Sequence, residues 1–274
     1  MFCQVCNSKV IKKYTVVEDV PLYQCQKCKL AFVDPKTPRR NTSHIYSFLD
    51  YKKRENQFIK RYQDATCLVK RYSIGKKILE VGAGFGLFSS MLCKAEYSVD
   101  VLEPTVTPHY LLDLPVKIYK QNLEEFTKNT KNKYDVIILY DVLEHVDFPQ
   151  KTITQFEKLL NNKGIVLIQT PNYLSLMAKI VKNWSWWMVD DHRYFFSKKS
   201  LNLLFSNKNW TSVFFKTYEE WPDFKKNLDG NFTDKIHKAV FFGWFIPFYF
   251  LFKRLIWELG YGGLHMAIWQ YNRE

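Results

Sequence analysis

Residues Ile78 to Gly86, Ile-Leu-Glu-Val-Gly-Ala-Gly-Phe-Gly, admit few folds. An apolar run carrying one acid ends in three alternate glycines, Gly82, Gly84 and Gly86, and a helical apolar pattern starts at Leu87. Glycines so spaced let a chain turn sharply from strand to helix and let a ligand approach bare backbone. A dinucleotide-binding turn would place its third glycine one residue later, where this chain has Leu87. Glu80, ahead of the first glycine, suits a cationic ligand better than a pyrophosphate. The segment therefore predicts a strand–turn–helix unit that holds a small, positively charged molecule.

The middle of the chain repeats this alternation. Strands are expected at Lys77–Val81, Ser98–Leu102, Val116–Ile118, Val136–Tyr140 and Ile165–Gln169, with helices at Leu87–Ala95 and about Gln150–Leu160. Val136–Tyr140 is continuously apolar, as a central strand covered on both faces must be. Thr211–Thr217 and Leu264–Gln270 read as a final strand pair. The fold class is α/β, a doubly wound, largely parallel sheet. Ligands of such sheets bind at the carboxyl ends of the strands, where the strand order reverses. Glu103 ends the second strand, where its carboxylate can accept from both hydroxyls of a ribose, and Pro104 stiffens the exit. Between His44 and Tyr72, apolar and aromatic residues such as Phe48, Phe58, Tyr62, Ala65 and Val69 recur at helical spacing, predicting helices that cover the ligand site. Cys67 and Cys93 fall in helical patterns and are expected in the core.

Cys3, Cys6, Cys25 and Cys28 form C-x2-C-x18-C-x2-C. Two such knuckles place four thiolates around a tetrahedral Zn2+; with every position taken by sulfur, the metal is structural. A segment this short has little core of its own, so the metal would supply much of its folding free energy. The net charge of +13 is uneven: residues 1–72 hold 15 Lys/Arg against 6 Asp/Glu, whereas residues 73–197 hold 14 against 14. A basic periphery can meet nucleic acid, anionic lipid or a phosphorylated substrate. The cysteine module lacks interleaved aromatic and basic residues, which makes nucleic acid the weakest of these partners. The polar, cysteine-rich start does not read as a secretory leader, so a cytoplasmic protein with reduced or metal-bound thiols is expected.

Ile78–Gly86, Val101–Pro104, Gln121–Phe126 and Tyr134–Pro149 resemble, in order and at fitting distances, motifs I to IV of class I S-adenosylmethionine-dependent methyltransferases. Asp141-Val142-Leu143-Glu144-His145-Val146 resembles the D-x-L-E-H-V segment of small-molecule methyltransferases near the ubiquinone-biosynthesis group. A cysteine-knuckle ribbon ahead of such a domain is similar to deoxysugar C-methyltransferases and to methyltransferases associated with surface polysaccharides. The resemblance implies a Rossmann-like sheet of seven strands in the order 3-2-1-4-5-7-6, with S-adenosylmethionine as the methyl donor. It puts Glu80, Gly82, Ala83, Gly84 and Gly86 at the sulfonium and amino-acid end of the donor, Glu103 and Pro104 at its ribose, and Asn122 and Leu123 at its adenine. Asn122 stands where the family usually carries Asp.

Methyl transfer from a sulfonium is an in-line displacement that needs a base only when the acceptor must lose a proton. Asp141 and His145, after the central strand, and His192, in Asp190-Asp191-His192-Arg193-Tyr194-Phe195-Phe196, are the catalytic candidates. The last segment is similar to an H-x-Y-F-F-S pattern of the same relatives, and His145 reads equally well as a histidine bonded to backbone. Asp141, Glu144 and His145 also have the donor atoms of a divalent-metal site. The expected activity is methylation at O or C of a small-molecule, sugar or lipid-linked glycan acceptor. The alternatives are an RNA methyltransferase using the basic amino-terminal region and a non-catalytic donor-binding scaffold.

This reading divides the chain into a zinc ribbon (1–40), a helical linker or cap (41–74), a donor-binding core (75–218), an aromatic apolar insertion (219–263) and a last strand with its tail (264–274). Within the insertion Ala239–Phe252 is uncharged and very apolar, but too short to span a membrane and carrying Pro247, expected to interrupt it. It reads as a lid over the acceptor, a homodimer interface, or a peripheral contact with the inner face of the membrane. Trp184, Trp186 and Trp187 suit either an apolar or glycan acceptor or core packing.

Overall fold

In chain order the strands are β1 (Ile11–Val17), β2 (Val20–Cys25), β3 (Ala31–Val33), β4 (Lys77–Val81), β5 (Ser98–Leu102), β6 (Lys117–Tyr119), β7 (Tyr134–Tyr140), β8 (Leu160–Pro171), β9 (Tyr194–Phe195), β10 (Trp210–Tyr218) and β11 (Leu264–Tyr271). The helices are α1 (Phe48–Lys53), α2 (Glu55–Tyr72), α3 (Leu87–Lys94), α4 (Leu123–Asn129), α5 (Pro149–Leu159), α6 (Leu176–Ile180), α7 (Lys198–Leu204), α8 (Trp221–Asn231) and α9 (Ile246–Glu258). This computed structural model describes residues 1–38, 47–181, 183–231 and 241–273. Residues 41–46 of the expected cap and 239–240 of the apolar run lie outside the described residues. The chain divides into two units: Met1–Arg40 with Thr170–Leu203 and Phe215–Met266, and Asn41–Gln169 with Leu204–Phe214 and Ala267–Glu274.

Among the described residues the larger sheet runs β6-β5-β4-β7-β8-β11-β10. Renumbered by family convention, that is the implied order 3-2-1-4-5-7-6. The pairs from β6 to β8 are parallel, and Val136, Ile137, Ile138 and Leu139 of β7 are fully buried. Burial on both faces explains why that strand is apolar at every position rather than at alternate ones. The short strand β6 sits one residue later than its apolar signal suggested.

In the unit that contains the cysteines, β1, β2, β3 and β9 form a second sheet. β9 joins it through the pairs Ala31↔Phe195 and Phe32↔Tyr194, so the ribbon's sheet is completed by residues far along the chain. Leu22 and Val33 then share one core with Tyr173, Trp184, Phe195 and Tyr249. Trp184 and Trp187 are buried, which makes them packing residues of this unit.

Pro247 lies in the first turn of α9, directly after a π-helical turn at Phe241–Phe245, so the regular α-helix is interrupted just ahead of the residue that cannot donate an N–H. One local expectation is corrected. Cys67 is exposed and Cys93 half-buried; helical spacing placed both on the wrong side of the core boundary.

Candidate active site

The strand ends of the second unit build a crevice from the glycine loop outward. Gly82, Gly84 and Gly86 all have left-handed backbones, with φ of 73°, 55° and 86°. Their surroundings differ. A Cβ on Gly82 would meet Val142 Cγ2 at 2.6 Å, and one on Gly86 would meet Leu111 Cγ at 2.6 Å. A Cβ on Gly84 would meet nothing within 4 Å. The outer two glycines thus admit close packing of the loop, while the middle one presents bare backbone to open space.

Two acids flank that space. Glu103 is buried, and its Oε1 accepts from Thr105 N at 2.9 Å, Thr105 Oγ1 at 2.6 Å and Val106 N at 3.2 Å. Oε2 accepts from Gly84 N at 2.8 Å. A carboxylate offers about four lone-pair directions, so Oε2 retains acceptor capacity while Oε1 is committed to its own loop. Glu80 is 3% exposed and accepts from Ser89 Oγ of α3. Burial pushes its carboxyl up to about 7, with the Ser89 hydrogen bond opposing the rise and the charge of Glu103 adding to it. A buried acid poised near neutrality has an electrostatic deficit that a cation removes.

Helices α1 and α2 cover the loop with aromatic rings. Tyr51 and Phe48 lie 5.0 and 5.4 Å from Phe85, and Tyr62 stacks on Phe88 at 4.7 Å. Buried Arg61 on α2 donates from Nη1 to Asp141 Oδ2 at 3.3 Å and lies over the Tyr140 ring. Asp141 itself ends β7 in the left-handed region, φ 56°, with its N–H bonded to Gln169 O. Asp is one of the few non-glycine residues that visit that region, because its short polar side chain can bond locally. Arg61 escaped the sequence reading although it had a signal: it stands one and two helical turns before Ala65 and Val69, inside their buried stripe. It supplies positive charge beside Asp141, while the Glu144 carboxylate and the His145 imidazole lie within 4.8 Å of each other, as the metal-site reading requires of those two.

Asn122 and Leu123 open α4. Asn122 is its N-cap: Oδ1 accepts from Glu125 N at 2.9 Å, and Glu125 reaches back to Asn122 N at 3.4 Å. This capping box gives Asn122 a structural task that the N-x-x-E pattern announces. Pro104 is exposed, and His145 is half-buried with its N–H on Val142 O. His192 belongs to the other unit. It is 2% exposed, and Nδ1 lies 3.1 Å from Trp186 O. A carbonyl only accepts, so Nδ1 carries a hydrogen.

The four ribbon sulfurs lie within 4.8 Å of one another, with Cys3–Cys28 at 3.4 Å and Cys6–Cys25 at 3.5 Å. Tetrahedral Zn2+ with bonds of ~2.3 Å needs sulfurs ~3.8 Å apart, so the cage fits. Both knuckles have one backbone design. Asn7 N bonds to Cys3 O and Lys29 N to Cys25 O, each at 2.9 Å. Asn7 and Lys29, four residues after the first cysteine of each pair, are both left-handed, with φ of 55° and 59°.

Comparison with known proteins agrees with this geometry. A family model described as a methyltransferase domain matches residues 38–213, more than half of the chain. Ubiquinone biosynthesis O-methyltransferase of Actinobacillus pleuropneumoniae serotype 7 (strain AP76) is 33% identical over 112 residues, 36% of this chain and 47% of the relative. Its counterpart in Pasteurella multocida (strain Pm70) is 31% identical over 114 residues, with the same coverage. The chain thus spans about half the length of the curated relatives it matches. Among solved structures, the plantazolicin methyltransferase BpumL in complex with SAH has a TM-score of 0.54 at 15% identity, covering 82% of this chain and 88% of that one. A SAM dependent methyltransferase from Archaeoglobus fulgidus has a TM-score of 0.53 at 15% identity, covering 83% and 100%. At such identities the structures attest the fold, whereas the family match concerns the chain itself. The chain belongs to the methyltransferase-domain family and has the seven-stranded fold of class I S-adenosylmethionine-dependent methyltransferases.

Proposed function

We propose that the protein transfers the methyl group of S-adenosylmethionine to an oxygen or carbon of a small-molecule acceptor, a sugar or lipid-linked glycan being the class favoured by the ribbon-bearing resemblance. The observation that carries the reading is the open space at Gly84, bounded by two buried acids, of which one is held near neutrality by burial. In this reading Glu80, Gly82, Ala83, Gly84 and Gly86 surround the methionine end of the donor. Arg61, shared with Asp141, meets its carboxylate. Glu103 Oε2, beside Pro104, takes the ribose hydroxyls. Leu123 flanks the adenine, and Asn122 Oδ1 has a second lone pair beyond its cap for the adenine amino group. His192 Nε2 removes the acceptor proton, and His145 stands as the second candidate for that task. Zn2+ on Cys3, Cys6, Cys25 and Cys28 holds the ribbon together and supplies no chemistry to the transfer.

Calorimetry with S-adenosylmethionine and its demethylated product tests the donor site, and radiolabelled donor incubated with fractionated cell extract identifies the acceptor class. No heat with either donor form, while a nicotinamide dinucleotide binds, would sink the proposal.

The electrostatics add a pH dependence with a definite sign. A protonated Glu80 lacks the charge that attracts a sulfonium, so donor binding favours the ionised acid and strengthens as pH rises through about 7. The acid is about one-tenth ionised at pH 6 and nine-tenths at pH 8, so donor affinity should rise about tenfold across that window. Glu80→Gln should lack this increment; equal slopes in the two proteins would count against the role of Glu80.

A further inference from the structure

α9 is apolar on two faces, and only one of them is covered by the described residues. The inner face is anchored: Tyr249 is buried against Phe224 at 4.5 Å, Trp257 Nε1 donates to Tyr249 OH at 3.1 Å, and Thr217 Oγ1 donates to Trp257 O at 2.6 Å. The outer face carries Phe248, Leu251, Phe252 and Leu255, which are 57%, 76%, 39% and 51% exposed. Trp244, one turn earlier, is 82% exposed, and Trp221 of α8 extends the patch through Phe250 at 5.5 Å. Spacings of three and four residues put Phe248, Leu251, Phe252 and Leu255 on one side of the helix. Single exposed apolar residues are ordinary; a contiguous row of large ones marks an interaction surface.

We infer that this face is a preformed interfacial helix that docks, parallel to the surface, on a bilayer containing anionic phospholipid. Length decides the orientation: thirteen residues of α-helix reach ~20 Å, below the ~30 Å of hydrocarbon a spanning helix must cross. No helix among the described residues is long and apolar enough to cross a membrane.

Charge selects the partner. The whole chain carries +13, which draws it to an anionic surface at long range; on α8 and α9 themselves exposed Lys225, Lys226 and Arg254 stand among exposed Asp229 and Glu258. Lys253 Nζ lies 5.0 and 5.9 Å from the Phe250 and Trp257 rings, its stem along apolar surface and its ammonium at the edge, the posture of a lysine at a lipid–water boundary. Tryptophans at the margins of the patch, Trp244 and Trp221, are of the type enriched at headgroup depth. The net charge of +13 opposes the approach of a second copy of this chain, whereas lipid phosphates offset it. The inference is independent of the methyl-transfer reading.

Co-sedimentation of the full chain with vesicles of 30% phosphatidylglycerol in phosphatidylcholine, against phosphatidylcholine alone, tests it. Binding should be clear on the anionic vesicles, weaker on the neutral ones and reduced by salt. Leu251→Glu with Leu255→Glu should lower vesicle affinity at least tenfold, with an unchanged circular dichroism spectrum and melting temperature. Lys225→Glu with Lys226→Glu and Arg254→Glu should remove the preference for anionic lipid. The inference is overturned if neither vesicle binds, or if the leucine variant binds as the parent does. It is equally overturned if the lipid-free chain is a dimer that the leucine variant makes monomeric without vesicle binding, which would assign the face to a second copy.

Discussion

Cys28→Ser should cost the protein its metal and, with it, the order of residues far outside the ribbon, while donor binding survives. The reason lies in how the knuckles are built into their unit. Cys28 O accepts from Ser197 Oγ at 3.1 Å, and Lys29 O accepts from Tyr173 OH at 2.7 Å. Three residues on, β3 pairs with β9, and Val33 N donates to Arg193 O at 3.1 Å. Arg193 in turn donates to Thr37 O at 2.9 Å. The residue after His192 is therefore held on both its carbonyl and its side chain by the ribbon. Metal binding to a four-cysteine site is worth about 10–16 kcal/mol of apparent free energy in small zinc peptides, comparable with the whole stability of a domain. Losing it should expose the segment 170–203 to limited proteolysis, reduce bound zinc from one per chain to background and abolish methyl transfer. The residues of the proposed donor site all lie in the other unit, so its calorimetric affinity should change by less than about threefold. A metal-free variant with parental proteolysis would mean that the ribbon folds on its own small core.

The β4–glycine–α3 unit was legible because each of its parts has a local cause: a buried strand is apolar at every position, and left-handed turns demand glycine. Glu103 was legible because its distance from Glu80 matches one βαβ step. Arg61 was hidden by its type; a cation inside a buried stripe looks like an interruption until its partner Asp141, eighty positions away, is known. Asn122 was read for its family position, though Asn122 to Glu125 also spelled a capping box. The joining of β9 to the ribbon leaves no periodic trace, since β9 has only two residues and pairs Ala31 of β3 with Phe195, far along the chain. Nor does periodicity reveal the uncovered side of α9: an apolar residue facing solvent reads like one facing the core.

Replacing His192 should separate chemistry from donor binding. Its Nδ1–H is engaged with Trp186 O, and the ring lies between Trp186 at 6.4 Å and Phe195 at 6.0 Å. In the neutral ring that contact makes Nε2 the basic nitrogen, as a general base requires. If the acceptor is an alcohol or an enolisable carbon, its proton must leave as the methyl group arrives, and a positioned base contributes about 10^2–10^4-fold. His192→Ala should therefore lower kcat by that order while S-adenosylmethionine binds as before. Because the ring is buried, alanine also leaves a gap, and a loss of activity could reflect loosening of the segment. His192→Asn distinguishes the two. Its amide can still donate to Trp186 O, but it offers no basic nitrogen at the Nε2 position. Equal losses in both variants, with the activity of each rising as external pH deprotonates the acceptor, would identify Nε2 as the proton acceptor. Recovery in the asparagine variant would make His192 a positioning residue, and undiminished turnover in both would remove it from the reaction.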